Sequence, residues 1–217
     1  METYRFTVSP SSLLAEALGT FALVFLGCGS VILSETGNFN PQLIPFVFGL
    51  TIASCVYLLG NYSGAHFNPA VTIGFFMNKE ISAKDAVIYI VVQILSALFA
   101  SLLHNVVFTE KHSFGTTTLS TTFISGTVAE IFCTAFLMLV ILLVTRNENR
   151  IYGLAIGGAV TVSALLIGDM TGASLNPARS IGPMVLYGNI DELWFYILFP
   201  ILGSSVITVL FRQFTKN

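Results

Sequence analysis

Asn68 and Asn176 each open the triplet Asn-Pro-Ala, and an asparagine in that setting can both cap a helix and donate hydrogen bonds. Asn is a preferred helix N-cap, and Pro at the next position has its φ preset and no amide hydrogen to leave unpaired. Asn68-Pro69-Ala70 and Asn176-Pro177-Ala178 therefore read as two helix starts. With its side-chain oxygen spent on its own helix, each asparagine keeps an amide NH2 free to donate. Two such donors meeting one water would hold its oxygen and interrupt a proton-conducting chain. Each helix start also carries about half a positive charge, which repels cations and hydronium where the two meet. The approach segments Ser63-Gly-Ala-His-Phe67 and Thr171-Gly-Ala-Ser-Leu175 precede the triplets. The carbonyls of Gly64, Ala65, His66 and of Gly172, Ala173, Ser174 lie there in non-helical backbone and need partners, which water can supply.

Three charged residues extend this set. Arg179 follows the second triplet directly, in the first turn of its helix. An arginine there is costly unless it faces a wet cavity or a partner, and that position disfavours snorkelling to the interface. Glu16 and Glu130 lie in apolar stretches at matching places, where a carboxylate could relay protons or accept from backbone N–H groups of a broken loop. Their symmetry favours the second role. His66 could present its ring to a path or serve as a satisfied structural histidine. No metal-ligand cluster, nucleophile–base pair or phosphate-loop pattern is visible, which excludes the common enzyme classes and implies no cofactor. Cys28, Cys55 and Cys133 all sit in apolar runs, where a free thiol acts as a small hydrophobe, and they imply no disulfide framework.

The elements that must position these residues are membrane helices. Of the 217 residues, 54% are hydrophobic and 9% charged, with a mean hydropathy of +0.84. A soluble domain carries about 25% charge, so this composition faces lipid, and a net charge of −2 gives no sign of a nucleic-acid partner. Six segments reach the roughly 20 apolar residues that a span needs: 12–33, 43–61, 85–108, 123–145, 151–168 and 193–212. The first reads as a retained span rather than a cleaved signal. Two shorter segments, 68–78 and 176–187, follow the triplets, and each reaches only about half of a 30 Å core. Of the basic residues, Arg5, Lys79, Lys84, Arg146, Arg150, Arg212 and Lys216 fall on one side and Lys111 alone on the other. The positive-inside rule then makes both termini cytoplasmic. Ala15-Glu16 with Thr20 is echoed by Ala129-Glu130 with Thr134, so three spans per half make an inverted repeat. Its halves cover about 12–108 and 123–212, joined by an extracellular loop 109–122, in one channel domain over residues 1–217. The fold class is thus all-α: six transmembrane and two half-spanning helices, with the site at the midplane. Gly19, Gly153 and Gly157 are candidates for close helix crossings.

The doubled Asn-Pro-Ala, the flanking Ser-Gly-Ala-His-Phe and Ala-Arg-Ser, the early Gly27-Cys-Gly29 and the repeat resemble the aquaporin, or major intrinsic protein, family across residues 12–212. The resemblance implies a passive channel for water and small uncharged solutes that excludes protons and cations. It further implies a homotetramer in a cell membrane with one pore per subunit. By alignment with the motif, the implied selectivity filter is Phe48, Ala164, Ala173 and Arg179. Water-selective members commonly have histidine at the Ala164 position and a small polar residue or Cys at the Ala173 position, so this filter reads as wider and less polar. Ser180 departs from the aspartate usual in glycerol-type members, while Tyr196 and Ile197 look like the plant nodulin-type and related bacterial branch. Glycerol, urea, ammonia or neutral metalloid hydroxides are the expected cargo beside water. A strictly water-selective channel is the alternative, with Phe67 or Met170 refilling the space. A proton-coupled secondary transporter is a third reading that the inverted repeat alone also fits.

Overall fold

The computed structural model describes residues 5–146 and 151–215, so Arg150 and Lys216 lie outside the described residues. Helix α1 runs over Pro10–Glu35, with Ser9 and Ser12 forming a reciprocal cap at its start and a π-helical turn at Leu23–Cys28. After a 3-10 turn capped by Asn40 come α2 (Ile44–Ser63), the short α3 (Pro69–Met77) and α4 (Ala83–Val107). The second half repeats this order as α5 (Phe123–Arg146), α6 (Tyr152–Thr171), the short α7 (Pro177–Tyr187) and α8 (Leu193–Thr215). The six long helices are all apolar enough to cross a membrane. Large apolar side chains such as Leu50, Leu58, Ile124, Phe132 and Leu166 are exposed on the outside of the bundle, as on helices built to face lipid. The long helices agree with the sequence reading to within about three residues at each end. α2 and α6 run on to Ser63 and Thr171, because each stops only at a left-handed glycine, Gly64 (φ 83°) or Gly172 (φ 76°).

Packing follows the same duplication. α1 lies against α2 and α4 as α5 lies against α6 and α8, and each short helix packs on the last long helix of the other half. The halves meet where α2 crosses α6 at Gly49 and Gly157. A Cβ on Gly49 would stand 1.8 Å from the Thr161 Oγ1 and 2.5 Å from the Gly157 carbonyl oxygen. One on Gly157 would stand 2.3 Å from the Gly49 oxygen. Backbone cannot yield as a side chain can, so Gly157→Leu is expected to lower the thermal unfolding midpoint in detergent by about 6–12 °C, from roughly 3 kcal/mol of overpacking. A normal midpoint would mean that the helices part freely there. Gly19 and Gly153 serve differently from the expectation. They make room for the rings of Phe67 and Tyr57, 2.2 and 2.7 Å from a would-be Cβ, rather than for a helix backbone. Gly182 and Gly203, not singled out in the sequence, also close on carbonyls, those of Ala97 and Ile131.

Candidate pore

α3 and α7 begin where Asn68 (φ −157°) and Asn176 (φ −150°) leave the helical region and turn their side chains back. Asn68 Oδ1 accepts from the Ala70 N–H at 2.8 Å, and Asn176 Oδ1 accepts from the Ala178 N–H at 3.0 Å. The amide nitrogens are not wholly free, as the sequence suggested. Asn68 Nδ2 donates to the Leu175 carbonyl at 2.8 Å and Asn176 Nδ2 donates to the Phe67 carbonyl at 2.9 Å, each reaching into the other half. An amide carries two hydrogens, so one is committed to this cross-stitch and one remains for the cavity that both asparagines line. The carbonyls could accept it only because the backbone before each cap turns left-handed at alternating residues.

That backbone is strained in both halves alike. Ala65 (φ 52°) and Phe67 (φ 49°) have their counterparts in Ala173 (φ 46°) and Leu175 (φ 53°). Such conformations cost about 1–2 kcal/mol each for residues with a Cβ, so something must hold them. Glu16 and Glu130, both with no exposure, do so. Glu16 accepts from the His66 and Phe67 N–H groups at 2.9 and 2.7 Å, from the Ser63 hydroxyl at 2.7 Å and from the Gln93 amide at 2.8 Å. Glu130 accepts from the Ser174 and Leu175 N–H groups at 2.9 and 3.0 Å and from the Thr171 hydroxyl at 2.7 Å.

One cavity of about 240 Å³ runs past these segments. Ala65, His66, Gly172, Ala173 and Ser174 line one wall, and Leu23, Ile52, Val56, Leu137, Ile156 and Val160 line an apolar wall. Gly64 is the left-handed cap of α2, and a Cβ there would stand 2.3 Å from the Phe6 ring. Phe6 is held there by its N–H on the Glu80 carbonyl at 2.9 Å, while Arg5 pairs with Glu80 at 3.1 Å. The imidazole of His66 stacks on Phe75 and meets the edge of Phe6, with ring centroids 4.6 and 5.0 Å apart. Its Nδ1 lies 3.2 Å from the Thr72 hydroxyl, and Nε2 has no partner among the described residues.

Phe48, Ala164, Ala173 and Arg179 all line the same cavity. Arg179 is 3% exposed, so it does not snorkel. Its Nη1 donates to the Gly115 carbonyl at 2.8 Å and its Nη2 to the Gly172 carbonyl at 3.4 Å, while Nε is unpartnered among the described residues. The guanidinium carbon sits 5.1 Å from the centre of the Phe48 ring, a cation–π distance. Phe48 in turn rests against Gly27 of α1, where a Cβ would be 2.3 Å from the ring. Neither Phe67 nor Met170 is on the cavity wall; the Phe67 ring is buried against Gly19 instead. The loop 109–122, which the sequence marks only as a connection, folds inward and supplies Gly115 as an anchor of Arg179. Its clue lay in Phe114-Gly115, whose left-handed pair (φ 61° and 66°) makes the inward turn. No group of three His, Cys, Asp or Glu side chains suited to a metal occurs among the described residues.

Two half-length helices joined by their N-termini inside a six-span bundle, with a lined cavity beside them, define a membrane channel. The profile of the Major intrinsic protein family matches residues 5–211, and the chain belongs to that family. Nodulin-26 of Glycine max is 37% identical over 199 residues, covering 88% of this chain and 73% of its own. Aquaporin NIP2-1 of Arabidopsis thaliana is 38% identical over 205 residues, covering 88% and 71%. Among solved structures, the aquaglyceroporin from Plasmodium falciparum matches with a TM-score of 0.82 and 26% identity over 94% of this chain and 95% of that one. The chain is accordingly an integral, multi-pass membrane channel for water and small neutral solutes, without a catalytic step.

Proposed function

We propose that the outer constriction of this channel is wide enough for small uncharged solutes such as glycerol, urea, ammonia or neutral metalloid hydroxides, and that protons and cations are excluded. The carrying observation is that Ala164 and Ala173 face the cavity opposite Phe48 and Arg179, with neither Phe67 nor Met170 filling the space their methyls leave. Arg179 and the carbonyls of Ala65, His66, Gly172, Ala173 and Ser174 then form a polar rail, and the apolar wall faces the carbon skeleton of the solute. Exclusion of cations rests on the Arg179 charge and the two helix N-termini, and exclusion of protons on the remaining amide hydrogens of Asn68 and Asn176. Glu16 and Glu130 act as structural acceptors; the donors already gathered on their oxygens leave little room for proton relay.

In this reading, residues 1–217 form one channel domain of two inverted halves, about 12–108 and 123–212, joined by an extracellular loop 109–122. Both termini are cytoplasmic in the cell membrane. Support comes from the basic residues at one end: Arg5 contacts Glu80 and the Thr145 carbonyl, and Arg212 donates to the Met77 carbonyl. Four copies assemble through the exposed apolar helix faces, each with its own pore.

Stopped-flow light scattering on proteoliposomes tests the proposal, first with an impermeant osmolyte and then with glycerol and urea. Fast shrinkage followed by fast re-swelling is expected. Shrinkage alone would restrict the channel to water. Ala164→His, which returns a ring and a polar contact to the constriction, is expected to cut glycerol flux at least tenfold and water flux less. Equal losses of both would remove the wide-filter reading.

A further inference from the structure

We infer that His104 is a positioning residue of the outer constriction. By pinning the π-helical turn of α1, it holds the platform on which Phe48 and the anchor of Arg179 rest, and so sets the width left to a solute. The inference rests on the filter reading above and names the group that maintains that filter from outside the cavity wall.

The π turn over Leu23–Cys28 departs from the repeat, because the matching stretch of α5, residues 137–142, is ordinary α-helix. Such turns are rare and frequently found at functional sites, where the extra residue re-aims its neighbours. Here three residues of the turn serve the cavity. Leu23 lines it. Gly27 lies behind the Phe48 ring, which a Cβ there would meet at 2.3 Å. Cys28 backs the inward loop, since a Cβ on Gly115 would stand 2.6 Å from the Cys28 carbonyl oxygen. The Gly115 carbonyl in turn accepts from Arg179 Nη1 at 2.8 Å. Phe48 directly, and Arg179 through Gly115, therefore both bear on one turn of helix.

His104 of α4 is fully buried and reaches that turn without standing on the cavity wall. Its Nε2 lies 3.0 Å from the Phe25 carbonyl oxygen, in the middle of the turn. A carbonyl only accepts, so this bond fixes the tautomer, with the proton on Nε2. The imidazole also stacks on the Phe25 ring, with centroids 5.2 Å apart and 21° between the planes. Phe25 is thus gripped by backbone and side chain together. Nδ1 is buried with no partner among the described residues. An unpaired interior acceptor is unfavourable, so packing alone would be better served by leucine. The histidine is therefore explained by the bond that it makes. Without that bond the turn is free to relax towards regular helix, bringing Leu26 or Cys28 towards the place of Gly27. No Cβ fits there, so the Phe48 ring is pushed into the lumen and the passage narrows.

The test compares wild type, His104→Leu and His104→Gln in proteoliposomes, reading glycerol and water fluxes on the same preparations. Leucine fills the space without a donor, and its ratio of glycerol to water flux is expected to fall about tenfold, as for a site that loses room for one methylene. Glutamine carries an Nε2 donor at similar reach and is expected to hold the ratio within about twofold of wild type. Gly27→Ala, which meets the Phe48 ring directly, is expected to lower the ratio as leucine does. A leucine variant with an unchanged ratio, or with both fluxes reduced in proportion, would overturn the inference while leaving the wide filter standing. So would equal losses in the leucine and glutamine variants, or an unchanged ratio in Gly27→Ala. A wild-type channel that passes water alone would overturn both. Size-exclusion profiles of the purified variants separate misfolding from altered selectivity. If leucine fails to fold, His104→Met supplies the same comparison, and its unchanged ratio counts equally against the inference.

Discussion

Glu16→Ala is expected to remove most of the channel's stability, although the residue never touches the cavity wall. The substitution strands four donors at once: two backbone N–H groups in strained, non-helical backbone, the Ser63 hydroxyl and the Gln93 amide. At about 1–3 kcal/mol for each buried donor left unmade, the loss is at least about 4 kcal/mol. That is a large part of the 5–15 kcal/mol typical of a folded domain. The expected result is a small yield of monodisperse protein and a strongly lowered unfolding midpoint. Glu16→Gln should fall between, because its single oxygen can still accept while its NH2 meets other donors. A wild-type midpoint for the alanine variant would show that the stranded N–H groups find water, and the assigned role of Glu16 would be lost. Glu130→Ala should behave alike, since Ser174 and Leu175 depend on it in the same manner.

Replacing Arg179 by valine should have the largest effect on selectivity. Its charge lies on the cavity wall with only 3% exposure, and in the proposed filter a cation would pass it at a distance on the order of 5 Å. At an effective dielectric of about 20 the repulsion is about 3 kcal/mol, or about a hundredfold in rate. Arg179→Val is therefore expected to raise Na⁺ or K⁺ leakage by one to two orders of magnitude in vesicles with an ion-sensitive dye. The valine also releases Gly115 and Gly172, so the loop could loosen for reasons unrelated to charge. Arg179→Lys separates the two effects. It keeps the charge and loses the planar fork, so it should retain most of the cation barrier while altering solute flux. Leakage from the lysine variant equal to that from valine would assign the barrier to loop geometry instead.

The two short helices and six spans were legible because each is written in local terms: an Asn-Pro start, an apolar run of a certain length, a glycine stop. The roles that depend on distant pairing were not. Asn68 could be read as a cap from its neighbours, but nothing near it says that its amide reaches Leu175. Gly49 looks like any helix glycine until Gly157 is brought against it. The same holds for Gly115, whose value lies in a carbonyl, a group every residue has and no sequence pattern marks.

The reciprocal bonds of Asn68 and Asn176 also bear on how the molecule is made. The Phe67 carbonyl waits for an asparagine that leaves the ribosome 109 residues later. At about 5–20 residues per second that delay is roughly 5–20 s, a long time for a polar group held in lipid. During that interval the first half must find a temporary partner, such as water admitted to the bilayer, a neighbouring protein or the insertion machinery. Completion of the centre thus waits for the second half, and a chain truncated before Asn176 would present an open, unpaired midplane by which a cell could know it as unfinished.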